Sequence, residues 1–329
     1  MTLNDLKKFI GVLDANPPTF QKSAPRSKAF LRIAKFLEDT VKPGGSYDLD
    51  LNPHPVWQII EARLAAAIDE IGTSELSDDE VVAWQMYNDG VIIKSGEVII
   101  GLDVIPMPRS HAWAEPPGLT ERIAGTLDLL LISHPHADHY DHPLARACLQ
   151  MGKPVVMPEI VAREWEIDSN LHRAADGWSL DVDDLSIVAH QGFHVWRETM
   201  EELPLAYYEV TCQQGFSFVF GGDVDCTKRV ARTPGKRIDL LFLPWRNPNK
   251  AYEDNHPDQI GTTLDAVRIA LSRIEPAALI FEHYAELDHV SEGLPASYEI
   301  ALDLKARLSL PSELMFWGEK IALRKAATH

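Results

Sequence analysis

The stretch LLLISHPHADHYDHP, residues 129–143, decides how the rest of the chain is read. It opens as a continuous apolar run, the pattern of a strand buried on both faces. It then places His134, His136, Asp138, His139, Asp141 and His142 within nine residues. Imidazoles and carboxylates are the side chains that ligate zinc and related divalent ions. Because the donors start where the apolar run stops, they emerge at the rim of a sheet. His134 and His136 are two residues apart, so in extended backbone they point to the same side and can chelate one ion. Asp138 and His139 lie just beyond the turn and can address a second.

Further donors follow the same rule. His194 closes LSIVAHQGFH, Asp223 follows FSFVFGG, and His283 follows ALIFE, each at or just past the end of an apolar run. Strand ends on one sheet edge can converge, and Gly221-Gly222 permit the tight turn that would aim Asp223 inward. His190 competes with His194 for the third position. The length of strand plus turn favours His194, and His190 is otherwise a hydrogen-bonded core histidine. The segment PWRNPNKAYEDNH (244–256) also follows a strand end. In it Arg246 is either an anchor for an anionic substrate or an exposed surface arginine, and His256 is either a pocket residue or an exposed loop histidine. The Pro-rich segment 106–118, with Arg109, His111 and Trp113, reads equally as a cleft cover or as surface packing. His54, His172, His289 and His329 fit no pattern.

Outward from the donors, the runs VVAWQMY, GVIIK and EVIIGLDVI are separated by Asn88-Asp89-Gly90 and Ser95-Gly96, both turn signals for antiparallel pairing. Later apolar runs alternate with helical segments, one from about Thr262 to Arg273. Hairpins first and strand–helix alternation afterwards predict a layered α/β sandwich over residues 81–329. Residues 1–80 read as a helical N-terminal extension. Phe30, Ile33, Leu37 and Val41 form one stripe, and Trp57, Ile60, Leu64, Ile68 and Ile71 form another after Pro55. Ser77 with Glu80 fits a capping box opening one more helical turn.

Composition removes several classes of function. With 45% hydrophobic and 24% charged residues in 329, the chain is an ordinary globular protein and not a disordered one. It has 31 Lys plus Arg against 49 Asp plus Glu, a net charge of −18 that repels phosphate backbones and excludes a nonspecific nucleic-acid polymer as partner. Three cysteines are too few for a disulfide framework. No run approaches the roughly 18 apolar residues of a membrane span, and charges break the apolar stretch of the first residues, unlike a signal peptide. The expectation is a cytoplasmic protein acting on a small molecule, with the stripes of the extension offering a surface for a homo-oligomer.

HPHADH, GGD and FEH resemble the motifs of the metallo-β-lactamase fold superfamily, over roughly residues 81–323. HPHADHYDH, with Asp141 two after His139, and HPDQIGTTLDAV before FEHY are similar to the branch containing L-ascorbate-6-phosphate lactonase and N-acyl-phosphatidylethanolamine phospholipase D. The resemblance implies a four-layer αβ/βα sandwich and two divalent metal ions, zinc first, with manganese or iron as alternatives. By the same resemblance His134, His136 and His194 hold one ion, Asp138, His139 and His283 hold the other, and Asp223 bridges them. Asp138 would also orient the nucleophile, Asp141 would accept a hydrogen bond from a ligand imidazole, and His256 would stand near the pocket. The implied activity is a dinuclear metal-dependent hydrolase of a small ester, lactone or phosphodiester. A nucleotide phosphodiesterase or nuclease on the same metals, or an iron-dependent redox enzyme, are the alternatives.

Overall fold

Among the described residues, fourteen strands form two sheets of seven, and each sheet is antiparallel at one end and parallel at the other. The computed structural model describes residues 1–41, 55–77, 80–106, 118–183, 185–195, 201–212, 214–246, 259–284, 286–291 and 293–324. Of the helical turn expected from Ser77, residues 78–79 lie outside the described residues, while the Glu80 N–H donates to the Ser77 carbonyl at 2.9 Å and strand begins at Val81, so no helix continues from it. The expected cover 106–118 falls mostly on 107–117, outside the described residues.

The first sheet comprises β1 (Val81–Gln85), β2 (Val91–Ser95), β3 (Val98–Leu102), β4 (Leu129–Leu131), β5 (Val155–Pro158) and β6 (Leu171–Ala174) in sequence order. The second holds β7 (Ser179–Val182), β8 (Leu185–Val195), β9 (Glu202–Thr211), β10 (Ser217–Phe220), β11 (Ile238–Pro244), β12 (Pro276–Glu282) and β13 (Ser312–Leu314), also in order. The chain then crosses back, and β14 (Lys320–Leu323) pairs antiparallel with β1 to complete the first sheet.

Strand side chains alternate between two buried environments, as the pleat requires. Val81, Ala83, Leu129 and Leu131 from the first sheet join Tyr208, Phe218, Phe242 and Ile280 from the second in one core between the sheets. Their neighbours Val82, Trp84, Leu130, Leu241, Leu243 and Phe281 face the other way, into a core shared with the helices. The architecture is therefore the expected sandwich of two mixed sheets flanked by helices.

The helices are α1 (Leu3–Asp14), α2 (Ala24–Thr40), α3 (Pro55–Thr73), α4 (Leu119–Thr126), α5 (His142–Gln150), α6 (Glu159–Ala162), α7 (Gln259–Ile274), α8 (Leu287–Ser291) and α9 (Tyr298–Arg307). Sequence reasoning missed α1. Its signal was Thr2 with Asp5, which form a reciprocal capping box. The stripes are not the exposed surface for a homo-oligomer that the sequence suggested: helices α2 and α3 bury both, with Val41 buried just past α2. They do so against the sandwich: Phe30 packs on Tyr298 with ring centroids 4.7 Å apart, Trp57 meets Tyr87 edge-on, and the Lys94 ammonium donates to the Ile71 and Ser74 carbonyls at the end of α3. Arg26, almost fully buried, donates through both terminal nitrogens to Glu319 in the turn before β14, at 2.8 and 2.7 Å.

Candidate metal centre

The donors converge because strand ends from both sheets meet at one rim. Beyond β4, the Ser133 N–H donates to Asp103 Oδ1 at 2.6 Å, and the Ser133 hydroxyl touches both Asp103 Oδ2 and, at 2.8 Å, His134 Nδ1. Asp103 itself closes β3 at φ +46°, so the first strand end carries the next. The turn after β10 has to pass close by. Gly222, at φ +50°, packs so tightly that an added Cβ would lie 2.7 Å from the Ser133 hydroxyl, and only glycine suits both constraints. Asp223 then points into the cluster.

Among the described residues four donor groups result; two of them, Asp103 with His134 and His139 and His283 with Glu286 and His289, share their histidines with the two that hold the expected ligands. His134, His136 and His194 present ligand atoms within 4.8 Å of one another, and Asp138, His139 and His283 do the same. Asp223 Oδ2 lies between them, 3.3 Å from His194 Nε2, 3.2 Å from His283 Nε2 and 3.7 Å from His139 Nε2. His134, His139, His194, Asp223 and His283 are all buried.

The hydrogen bonds leave a specific valence to fill. His139 gives its Nδ1 to Asp103 Oδ2 at 2.8 Å, and His283 gives its Nδ1 to Glu286. With Nδ1 so engaged, Nε2 is the nitrogen each ring has left for a cation, and the two Nε2 atoms face each other at 3.1 Å, with Asp138 Oδ2 at 3.8 and 3.5 Å. Acceptors aimed at one point need a cation between them. Behind them sit more buried acids. Neither oxygen of Asp89 nor of Glu282 makes a hydrogen bond of good geometry among the described residues, and Asp89 Oδ2 is 3.4 Å from His139 Nδ1. The donor set itself, imidazole nitrogens and carboxylate oxygens, fits divalent ions of the zinc, manganese or iron type.

Protonation follows the same logic. Burial, together with neighbouring imidazoles, holds His134 well below the usual histidine range, and burial takes His194 down to about 4, so both keep a lone pair at neutral pH. Burial works against the charge of Asp138, but His139 and His283 outweigh it and pull the carboxyl to about 2. Burial and Arg246 push His283 down, while Asp223 and Glu286 lift it to about 10; burial likewise opposes the charge of His139, but Asp138, Asp103 and Asp223 raise it well above the usual histidine range. Burial raises Asp89 to about 7, and burial with Asp89 alongside raises Glu282 well above the carboxylate range.

Asp141 caps α5 by accepting from the Leu144 N–H at 2.8 Å, while the acceptors on His139 and His283 are Asp103 and Glu286. His190 stacks on Tyr207 and lies 3.2 Å from Glu209, outside both donor groups. Arg246 is not a surface arginine. Its Nη2 is 2.9 Å from His283 Nδ1 and 3.0 Å from Nε2, and only a position across the ring is equidistant from both. His256 lies outside the described residues. His289, which fits no sequence pattern, stacks parallel to His283 and bonds Glu286. Asp103 and Glu286 were also missed. Asp103 ends an apolar strand like the other donors, and that rule would have found it.

The sequence profile of the beta-lactamase superfamily domain matches residues 101–284, more than half of the chain. The chain belongs to this superfamily. No curated protein sequence matches it. Among solved structures, similarity in fold extends to CmlA, a diiron beta-hydroxylase from Streptomyces venezuelae (TM-score 0.52, 16% identity), over 76% of this chain but 55% of that one. The chain thus spans about half the length of CmlA. It is also similar to Igni18, a metallo hydrolase from Ignicoccus hospitalis (TM-score 0.50, 13% identity, 75% and 100% covered). An isothiocyanate hydrolase from Delia radicum gut bacteria is similar to the same degree (TM-score 0.50, 16% identity, 74% and 99% covered). Among the described residues, no helix is long and apolar enough to cross a membrane.

Proposed function

We propose that the protein is a dinuclear metal-dependent hydrolase of a small molecule with an ester, lactone or phosphodiester bond. The observation that carries this reading is the pair of three-residue donor groups with Asp223 between them. His134, His136 and His194 would hold one ion, Asp138, His139 and His283 the other, and Asp223 both. Two such ions supply Lewis acidity, bringing the pKa of water towards about 7 and polarising the electrophilic oxygen. The chain's own residues do the rest. Asp138, held at about 2 and partly exposed, is ionised at neutral pH and can accept a hydrogen bond from an incoming water and orient it. Asp103 and Glu286 fix the tautomers of His139 and His283 by accepting from Nδ1, which aims each Nε2 at the ion. Arg246, across His283, stands where an anionic part of a substrate would approach.

Within the superfamily we place the protein nearest the branch of L-ascorbate-6-phosphate lactonase and N-acyl-phosphatidylethanolamine phospholipase D, on HPHADHYDH and the HPDQ segment before FEHY. Zinc is the metal this reading favours. Similarity in fold to a diiron hydroxylase supports a second reading, iron-dependent oxygen chemistry. Elemental mass spectrometry on protein purified without chelators separates the two. Two zinc or manganese ions per chain, with turnover in a panel of lactones, esters and phosphodiesters, is the expected result. Two irons per chain and an inactive panel would favour the second reading, and no metal after reconstitution would overturn both.

A further inference from the structure

The turn Asn88-Asp89-Gly90 reads in the sequence as a hairpin signal and nothing more. It joins β1 to β2 and lies outside residues 101–284, the stretch that matches the superfamily profile. In the structure this turn runs beneath the metal motif. Asn88 Nδ2 donates to the Asp138 carbonyl at 2.8 Å, and Asp89 Oδ2 is 3.4 Å from His139 Nδ1, the nitrogen that also bonds Asp103. Asp138 and His139 are two of the three donors of one group.

Two features set this turn apart from an ordinary hairpin. Asn88 takes φ +60°, and its side chain is spent on a loop fifty residues away rather than on its own turn. Asp89 is fully buried against the Glu282 carboxyl, and neither of its oxygens has a well-formed hydrogen bond to any other described residue. A hairpin has no use for a buried, poorly satisfied carboxylate, and such a group needs its own explanation. Space leaves little freedom: a Cβ on Gly90 would lie 3.0 Å from the Tyr87 carbonyl and 3.1 Å from the Asp103 carbonyl, so the turn is clamped against the strand end that carries Asp103.

We propose that the Asn88-Asp89-Gly90 turn is a positioning element for the metal subsite of Asp138, His139 and His283, with Asn88 fixing the backbone of Asp138 and Asp89 steering the His139 ring. The inference rests on the two-ion reading above. It makes the two subsites unequal: one depends on a hairpin turn of the first sheet, and the other does not. Asn88→Gly is the cleanest test, because glycine accepts φ +60° and the substitution deletes only the side-chain contact. Asp89→Asn keeps the shape of the side chain and removes its charge.

Metal-free protein, wild-type and variant, is titrated with zinc against a chromophoric chelator, and the cobalt-substituted absorption spectrum is recorded as a readout independent of turnover. The expected result is two ions in the wild type and, in each variant, one ion bound as before and one weakened about 10–100-fold, the usual cost of losing an outer partner of a ligand. Wild-type affinity for both ions in both variants, or equal weakening of both ions, would overturn the inference. Fewer than two ions in the wild type would overturn the two-ion reading itself and this inference with it. If Asp89→Asn fails to fold by circular dichroism, Asn88→Gly alone decides.

Discussion

Buried charge is handled in two opposite ways in this molecule. Where α2 meets the turn before β14, Arg26 is enclosed with Glu319 in a two-pronged bond and also donates to the Asn16 and Leu314 carbonyls. The Glu319 bond and charge outweigh burial and hold the guanidinium above its ordinary pKa. Between β8, β9 and the segment before β11, Glu209 is likewise closed by His190, the Thr233 N–H and Lys236. In these regions the chain provides both signs. At the rim, imidazole nitrogens and carboxylates from both sheets face one another, and a cation from outside would complete the balance. The contrast teaches that closed networks hold the fold together, whereas the open one is built to bind.

Substitutions at the two kinds of cluster should therefore separate function from stability. The largest effect is expected at the rim: His136→Ala or Asp223→Ala abolishes hydrolysis and lowers metal content, while thermal unfolding of the metal-free protein changes little. Activity retained in either would break the contrast. Arg26→Met should do the reverse. Removing one partner of a buried pair leaves the other uncompensated, at a cost of about 3–5 kcal/mol, read in denaturant unfolding, with metal affinity of the folded protein unchanged.

The histidines of β8 sharpen the comparison at a smaller scale. His194→Ala should weaken metal binding by chelator competition and His190→Ala should not, since His190 belongs to the closed network around Glu209; the opposite ranking would reassign the third ligand. The smallest effect is a pH dependence. Burial raises the Glu209 carboxyl, but His190, Thr233 and Lys236 outweigh it and hold it at about 2. An unfolded glutamate titrates near about 4.3, so the folded value is depressed. Its contribution is present above about 4.3 and is lost as pH falls towards about 2. Acid unfolding of Glu209→Gln should accordingly show a shallower loss over that window than the wild type.

Legibility in the sequence tracked locality. The motif His134–His139 is contiguous, and periodicity shows the strand that presents it, so the donors and their rim position could be read together. His194, Asp223 and His283 were readable because each ends an apolar run, a local pattern repeated at distant points. Asp103 obeys that pattern and was passed over, because a single Asp after GL carries little weight alone. Glu286, His289 and Asp89 follow no local rule; their meaning arises only when α8 and the β1–β2 turn pack beside the motif. Arg26 and Glu319 look like surface charges in sequence and are buried only because α2 lies against the closing turn.

Strand and helix periods, turn residues and the order of donors thus determined the layered α/β class and the core of the candidate metal centre from sequence alone, because they depend on neighbours a few residues apart. The return of β14 to the first sheet, the tautomer of each ligand and the pairing of each buried charge were decided only by tertiary structure. They join residues that the chain separates widely, and an electrostatic or hydrogen-bonding partner is set by distance in space.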